Sequence, residues 1–396
     1  MNIHTRAVHA GDRKAAGPHV PVTTPIHAAS SYFYKDIEEL DRVFGGEQAG
    51  FSYARYGNPS NAALEELTTE LESGHGSLAC SSGMAALQLA IQTALTDRRK
   101  AVLAADALFG ATFNLLMTVF GPLGVDVRFV NMCDLEAVAR AVDEQKPGCL
   151  MMETISNPML RVADLDKIAA LAQAAGAALI VDNTFATPLL VKPMERGASL
   201  VVHSLTKYLA GHGDVMGGVV VSDEPHFATM TALSRVTGPA LGPFECFLAM
   251  RGIKTFPLRM ERQCANACRV ASALSVNANV ERVYFPQDPA HPDAAAIRRL
   301  FREGLFGAIV SFELKGNGRE GVFRFMNALK MVVPATSLGD VHTMTLYPAI
   351  SSHREISPKQ RARMGIGDNL VRLSVGIEAA EDILADLDQA LASVSS

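Results

Sequence analysis

A chain of 396 residues with 19% charged residues and a net charge of −5 carries no basic stripe, so nucleic acid is excluded as a partner. No apolar run is long enough to span a membrane, and residues 1–20 lack the apolar stretch of a secretory signal, so no membrane partner is expected. Six cysteines form no Cys-x-x-Cys pair, and Cys264 and Cys268 lie one helical turn apart as structural thiols, which fits a reducing, cytoplasmic setting.

Residues 1–60 show no clear period and read as an arm that needs a surface to lie on, such as a neighbouring subunit. The arm carries the aromatic cluster Tyr32-Phe33-Tyr34 and ends in Phe51 to Ser60, where Gly57-Asn58-Pro59 is turn chemistry leading into a helix. Tyr53 and Arg55 share one face of an extended segment. A hydroxyl beside a guanidinium fork suits a phosphate; an exposed ion pair next to a packed ring would read the same way.

From about residue 61 to 222 helix and strand alternate. Helical periods run near 61–73, 83–95, 134–145 and 164–175; apolar strand candidates are 101–105, 127–130, 149–152, 179–182, 200–203 and 219–221. This alternation predicts a mostly parallel sheet covered on both faces. Ser81-Ser82-Gly83-Met84 opens one of the helices, and free amides at a helix start bind anions, although an ordinary serine N-cap has the same residues. Phe109, after the strand at 101–105, offers a ring that can stack on a flat heterocycle or simply fill core. Glu153 to Asn157-Pro158 closes the strand at 149–152, with Asn157 able to hydrogen-bond a ring hydroxyl.

Two strand ends matter most. Asp182-Asn183 ends one, and Ser204-Leu205-Thr206-Lys207 ends another 25 residues later. Parallel strands joined by crossovers bring their carboxyl ends to one edge, so Asp182 and Lys207 face one crevice. A partly desolvated lysine can hold an aldehyde, and a carboxylate can keep a pyridine nitrogen protonated, which is the pairing that pyridoxal phosphate requires. Taken singly, Lys207 reads equally as a strand-end lysine in solvent and Asp182 as a turn acid.

After residue 223 the pattern changes. Residues 243–276 read as a long helix, interrupted or bent near Gly252 and Pro257, followed by short strands at 280–285, 308–313, 331–333 and 371–375 and a closing helix over 379–393. This is a second, smaller α/β domain. It carries Ser337-Leu338-Gly339-Asp340 and Arg372, an arginine able to grip a carboxylate bidentately or to serve a structural ion pair. His203, His212 and Asp214 have no spacing that implies a metal site, and none is expected.

In order, Tyr53-x-Arg55-x-Gly57-Asn58-Pro59, Ser82-Gly83-Met84, Glu153 to Asn157-Pro158, Asp182-Asn183-Thr184, Ser204-x-Thr206-Lys207 and Arg372-Leu373-Ser374-Val375-Gly376 resemble the pyridoxal-phosphate enzymes of cysteine and methionine metabolism. These include cystathionine γ-synthase, cystathionine γ-lyase, methionine γ-lyase and the homoserine-ester sulfhydrylases. The resemblance implies an α/β chain of fold type I, aspartate aminotransferase-like. It implies an arm (1–60) reaching a neighbouring subunit's site, a large domain (61–255) with a mostly parallel seven-stranded sheet, and a C-terminal domain (256–396). Pyridoxal 5'-phosphate would be held by Lys207 as the Schiff-base lysine, Asp182 at the ring nitrogen, Asn157 at the ring oxygen, and Ser82, Gly83, Met84, Ser204 and Thr206 at the phosphate. Tyr53 and Arg55 of the adjacent subunit would complete that site, so a dimer is required and a tetramer is usual. Ser337, Arg372 and Asn157 would orient a small amino-acid substrate, and Phe109, Asp182 and Lys207 would carry catalysis.

Three departures narrow the reaction. The stacking aromatic, usually tyrosine, is Phe109 here, and with the run from Gly50 to Pro59 it looks most like the O-succinylhomoserine sulfhydrylases. Asn114 and His342 stand where the cystathionine-handling enzymes carry an arginine and a glutamate. Ala111 replaces the cysteine of methionine γ-lyases, and Arg235 occupies a loop where those lyases place a lysine. The resemblance therefore implies γ-replacement on O-succinyl- or O-acetylhomoserine by sulfide or a thiol, with γ-elimination to 2-oxobutyrate, ammonia and a thiol as the alternative. His342 is either a surface histidine or a contact for the leaving group.

Overall fold

Seven strands form the larger sheet: β1 (Gly76–Cys80), β2 (Ala101–Ala105), β3 (Asp126–Val130), β4 (Cys149–Glu153), β5 (Ala178–Asp182), β6 (Leu200–Ser204) and β7 (Gly218–Ser222). In this computed structural model, which describes residues 1–14, 19–96, 99–316, 318–354 and 358–394, their order is β1-β7-β6-β5-β4-β2-β3. Only β7 runs antiparallel to its neighbours. The inner strands are apolar runs buried on both faces, as crossover helices on each side require. In β4, β5 and β6 burial relaxes at the last residue alone, Glu153, Asp182 and Ser204. These three ends make the floor of the site.

The second sheet has five strands, β8 (Val280–Tyr284), β9 (Ile309–Leu314), β10 (Val333–Pro334), β11 (Met344–Leu346) and β12 (Leu370–Ser374), in the order β10-β11-β12-β9-β8. Arg372 lies in the middle of β12, opposite Ser311 of β9 and Leu346 of β11.

Two expectations change, those for Arg235 and for the strand at 331–333, and one holds: the helical stretch is interrupted between Gly252 and Pro257 into two helices, Pro243–Ile253 and Phe256–Ser275. The break falls at Lys254-Thr255, and Pro257 sits in the first turn of the second helix, where its missing N–H has no partner to lose. Arg235 is in the last turn of a helix, Glu224–Thr237, and not in a loop; Asp223 caps that helix by accepting from the His226 amide. The strand expected at 331–333 is displaced to Val333–Pro334, where the Val333 amide bonds the Thr343 carbonyl at 2.9 Å.

The first 60 residues divide in two. The helix Ile3–His9 lies on its own chain, with Ala7 fully buried, His4 bonded to Glu261 at 3.0 Å and Asp12 paired with Lys254. Further along, Phe33, Ile37 and Phe44 are 91%, 70% and 59% exposed.

Behind the strand ends, on the face away from the site, runs a buried polar row. Glu72 Oε1 meets His203 Nε2 at 2.6 Å and accepts from Asn183 Nδ2 at 2.8 Å, while Asn183 Oδ1 accepts from Thr154 at 2.8 Å. Removing one partner leaves a buried polar group short of a hydrogen bond. We expect His203→Leu to cost about 1–3 kcal/mol, read as a lower thermal midpoint; an unchanged midpoint would show that the pair is not coupled to stability.

Candidate active site

One cavity of about 520 Å³ opens where the two sheets meet. The large sheet supplies Glu153 and Asp182 from its strand ends, then Ser204, Thr206 and Lys207 from the turn after β6; β12 supplies Arg372. Ser82, Gly83, Met84, Phe109 and Asn157, also expected from sequence, line it as well. Lys207 and Asp182, from different strands, face a common space.

The lysine turn is held from below. Arg259 donates to the carbonyls of Tyr208 at 2.8 Å and Leu209 at 3.0 Å, and Gly211, at φ 71°, closes the turn onto the Lys207 carbonyl at 2.8 Å. A side chain at Gly211 would enter the guanidinium of Arg259 and a left-handed backbone region together. Lys207 Nζ donates to Ser337 Oγ at 3.0 Å. Burial, with the positive charge of Arg372 nearby, pulls this amine below the ordinary lysine range.

Asp182 accepts from the Thr184 amide at 3.0 Å, and Thr184 Oγ1 accepts from the Ser204 amide at 2.9 Å, so one threonine ties the two strand ends together. Burial raises the Asp182 carboxyl, opposed by the Thr184 hydrogen bonds and the neighbouring His203. Glu153, the register partner of Asp182, accepts from the Phe109 amide at 2.6 Å and from the Asn157 amide.

At the opposite end, Ser82 caps the Gly83–Leu95 helix by accepting from the Ala85 amide at 3.0 Å, which leaves its hydroxyl hydrogen to donate. An added Cβ at Gly83 would sit 3.2 Å from Ser204 Oγ, and one at Gly218 would lie 2.3 Å from the Ser82 carbonyl. The glycines thus let a helix start and a strand end approach closely, with helix-start amides of the kind that bind anions. Thr206 is engaged with Gly217, accepting from its amide at 3.1 Å and facing its carbonyl at 3.3 Å. Arg372 donates to Asn157 Oδ1 at 3.0 Å and to the Ser337 carbonyl at 3.2 Å, with its Nε buried and unpartnered. Burial lowers Arg372 to about 10, so it stays charged at neutral pH. An anion cradle, a desolvated amine, a strand-end acid and an arginine with donors to spare fit pyridoxal phosphate and an amino-acid carboxylate.

Tyr53 and Arg55 are not in this cavity. Arg55 lies 4.7 Å from the centroid of the Tyr56 ring and donates to the Arg235 carbonyl. His342 is held by Asp340 at 2.9 Å with its side chain 66% exposed, outside the cavity lining. Asn114 lines a neighbouring cavity of about 500 Å³ that shares Glu153 and Asn157 with the first. Sequence reasoning gave no role to Thr184, Thr336, Ser351 and Ser352, all in the lining. The last two lie in an irregular segment, so no strand-end signal marks them.

His353 holds that segment. It is 1% exposed, bonded through Nδ1 to Ser352 Oγ at 2.9 Å, and lowered to about 4 by burial and by the charges of Arg372 and Arg361. Because the folded value lies below the unfolded value of about 6.5, the stability it contributes is full above pH ~6.5 and is lost as pH falls toward the folded value. We expect the thermal midpoint to drop between pH 7 and 5 and His353→Gln to flatten that slope; equal slopes in both proteins would contradict it.

A family model described as Cys/Met metabolism PLP-dependent enzyme matches residues 4–392. The chain is 39% identical to an L-methionine gamma-lyase of Fusobacterium nucleatum subsp. polymorphum, over 99% of this chain and 98% of that protein. It is 37% identical to the O-succinylhomoserine sulfhydrylase of Pseudomonas aeruginosa, over 98% and 95%. The structure of a cystathionine gamma-lyase from Lactobacillus plantarum, complexed with L-serine, superposes with a TM-score of 0.92 at 34% identity, covering 100% of both chains.

Proposed function

The chain belongs to the pyridoxal-phosphate-dependent enzymes of cysteine and methionine metabolism, and on that premise we propose that it catalyses γ-replacement on an acylated homoserine, with sulfide or a thiol as nucleophile and a homocysteine-type product. The observation that carries this reading is Phe109 in the cavity wall. A phenol there would put an acid beside the γ-substituent, and Phe109 has no proton to give. An ester's carboxylate departs unprotonated, its conjugate acid having a pKa of about 4; a thiolate, with a conjugate acid near about 8.5, needs the proton far more.

In this reading Lys207 would hold the cofactor aldehyde and, as a free amine, would carry protons between Cα and Cβ of the substrate. Its depressed pKa makes the amine easier to deprotonate, and Ser337 aims it. Asp182 holds a proton at the ring nitrogen; bound in this way, the cofactor serves as the sink for the electron pair released at Cα. Ser82, Gly83, Met84, Ser204 and Thr206 hold the phosphate, Thr206 by giving up part of its bonding to Gly217. Arg372, fixed by Asn157 and the Ser337 carbonyl, grips the α-carboxylate.

A second reading, γ-elimination from a methionine-like thioether, is favoured by the apolar side chains of Met84, Leu87, Ile155, Phe185, Leu338 and Leu346 in the same cavity. The two separate in one assay: O-acetylhomoserine, O-succinylhomoserine, methionine and cystathionine, each with and without sulfide. Homocysteine formed from an acylhomoserine only when sulfide is present is the expected result. Rapid 2-oxobutyrate from methionine alone would overturn it in favour of the second.

The reading extends to assembly. Tyr53 and Arg55 would serve the phosphate site of a neighbouring subunit, and the exposed Phe33, Ile37 and Phe44 would be covered in a dimer or tetramer. Light scattering that returned a monomer for the active protein would contradict this. Among the described residues no helix is long and apolar enough to cross a membrane; a cytoplasmic location rests on that and on the free thiols, and fractionation would test it.

A further inference from the structure

Two strand-end carboxyl groups line the cavity, and the reaction as derived uses one. Glu153 ends β4 and Asp182 ends β5, and the two are register partners on adjacent parallel strands, a spacing of about 4.8 Å between backbones. Neighbouring carboxyl groups in a desolvated cleft oppose each other's ionisation. Asp182 is the better placed to carry the charge: Thr184 donates to it through its amide at 3.0 Å, and the imidazole of His203 lies behind it. Around Glu153 stand Asp182 from β5 and the amides of Phe109 and Asn157 from two loops. Lys207 and Arg372 line the same cavity.

We propose that Glu153 is a positioning residue that acts as a neutral acid, tying the Phe109 and Asn157 segments to the strand edge where Asp182 meets the cofactor ring, and leaving the pair with a single negative charge. Phe109 faces the cavity, and Asn157 both lines it and holds Arg372. The Glu153 carboxyl therefore sets the ring's flank and, through Asn157, the carboxylate grip. Burial and the adjacent Asp182 charge both push the Glu153 carboxyl well above the usual range, in the same sense. A charged Glu153 would compete with Asp182 for the ring proton; a neutral one accepts the same two N–H bonds and leaves the ring to Asp182.

The inference rests on the ring lying between Lys207 and Asp182. The test uses the holoenzyme and two variants, Glu153→Gln and Glu153→Ala, with three readouts: cofactor dissociation constant, the pH midpoint of the bound cofactor's visible band, and thermal midpoint. The amide of Glu153→Gln keeps a carbonyl acceptor and adds no charge change to a neutral acid. Its cofactor affinity should stay within about threefold of the parent and its spectral midpoint within about 0.3 pH unit, below the one unit that a charge interaction of 1.36 kcal/mol would give. Glu153→Ala loses both bonds and should bind the cofactor at least about tenfold more weakly. A spectral midpoint displaced by a unit or more in Glu153→Gln, or affinity as weak as in Glu153→Ala, would overturn the proposal. If Glu153→Ala does not fold, the Glu153→Gln midpoint decides alone. Borohydride labelling of the parent on a lysine other than Lys207 would overturn the ring placement and this inference together; with the label on Lys207, the Gln result concerns Glu153 only.

Discussion

Lys207→Ala is expected to lower turnover by about 10⁴-fold or more, since it removes both the group that holds the aldehyde and the mobile base. The protein should keep its fold. Lys207 is only partly buried, its amine has one hydrogen bond, to Ser337, and the turn behind it is pinned through main-chain carbonyls by Arg259. Removing a desolvated amine also removes its penalty, so the thermal midpoint without cofactor should not fall. Turnover number and apoprotein melting measured together check this. A variant within about tenfold of the parent in turnover would mean that another group does the proton work.

Asp182→Asn should be the next most damaging change. The amide matches the carboxylate in shape and can accept from the Thr184 amide at the same 3.0 Å position, so the strand end stays in place. It carries no charge, and the proton on the ring nitrogen loses its counter-ion in a buried site. Losing a preorganised electrostatic partner of this kind costs about 10²–10³ in rate. The loss should fall on kcat more than on KM, because in the proposed mechanism Arg372 and not Asp182 grips the substrate carboxylate. A deficit confined to KM would place Asp182 elsewhere in the mechanism.

The parallel sheet is legible in the sequence because its inner strands are short apolar runs that end abruptly in polar residues. Asp182 and Ser204 stand at such ends, and so the residue pattern alone marks the two poles of the site. β1 is not legible in this way. Its sequence, Gly76 to Cys80, is small and only weakly β-forming, because the packing demands it: a Cβ at Gly76 would lie 2.4 Å from the Phe227 ring. The Glu224–Thr237 helix is hidden for a related reason. It buries only His226 and Met230, so its apolar period is faint. Glu153 is visible as a strand end, but its meaning comes from register with Asp182, and register is set by sheet pairing rather than by local composition. The same holds for Ser351 and Ser352, brought to the cavity by the small domain through a buried histidine.

The most direct measurement is reduction of the yellow holoenzyme with borohydride, followed by mass mapping of the fixed cofactor. The expected result is loss of the visible band with a single pyridoxyl label on Lys207, and the same label position in Asp182→Asn with a shifted band. A label on any other lysine, or a visible band that does not respond to Asp182→Asn, would contradict a ring held between these two residues.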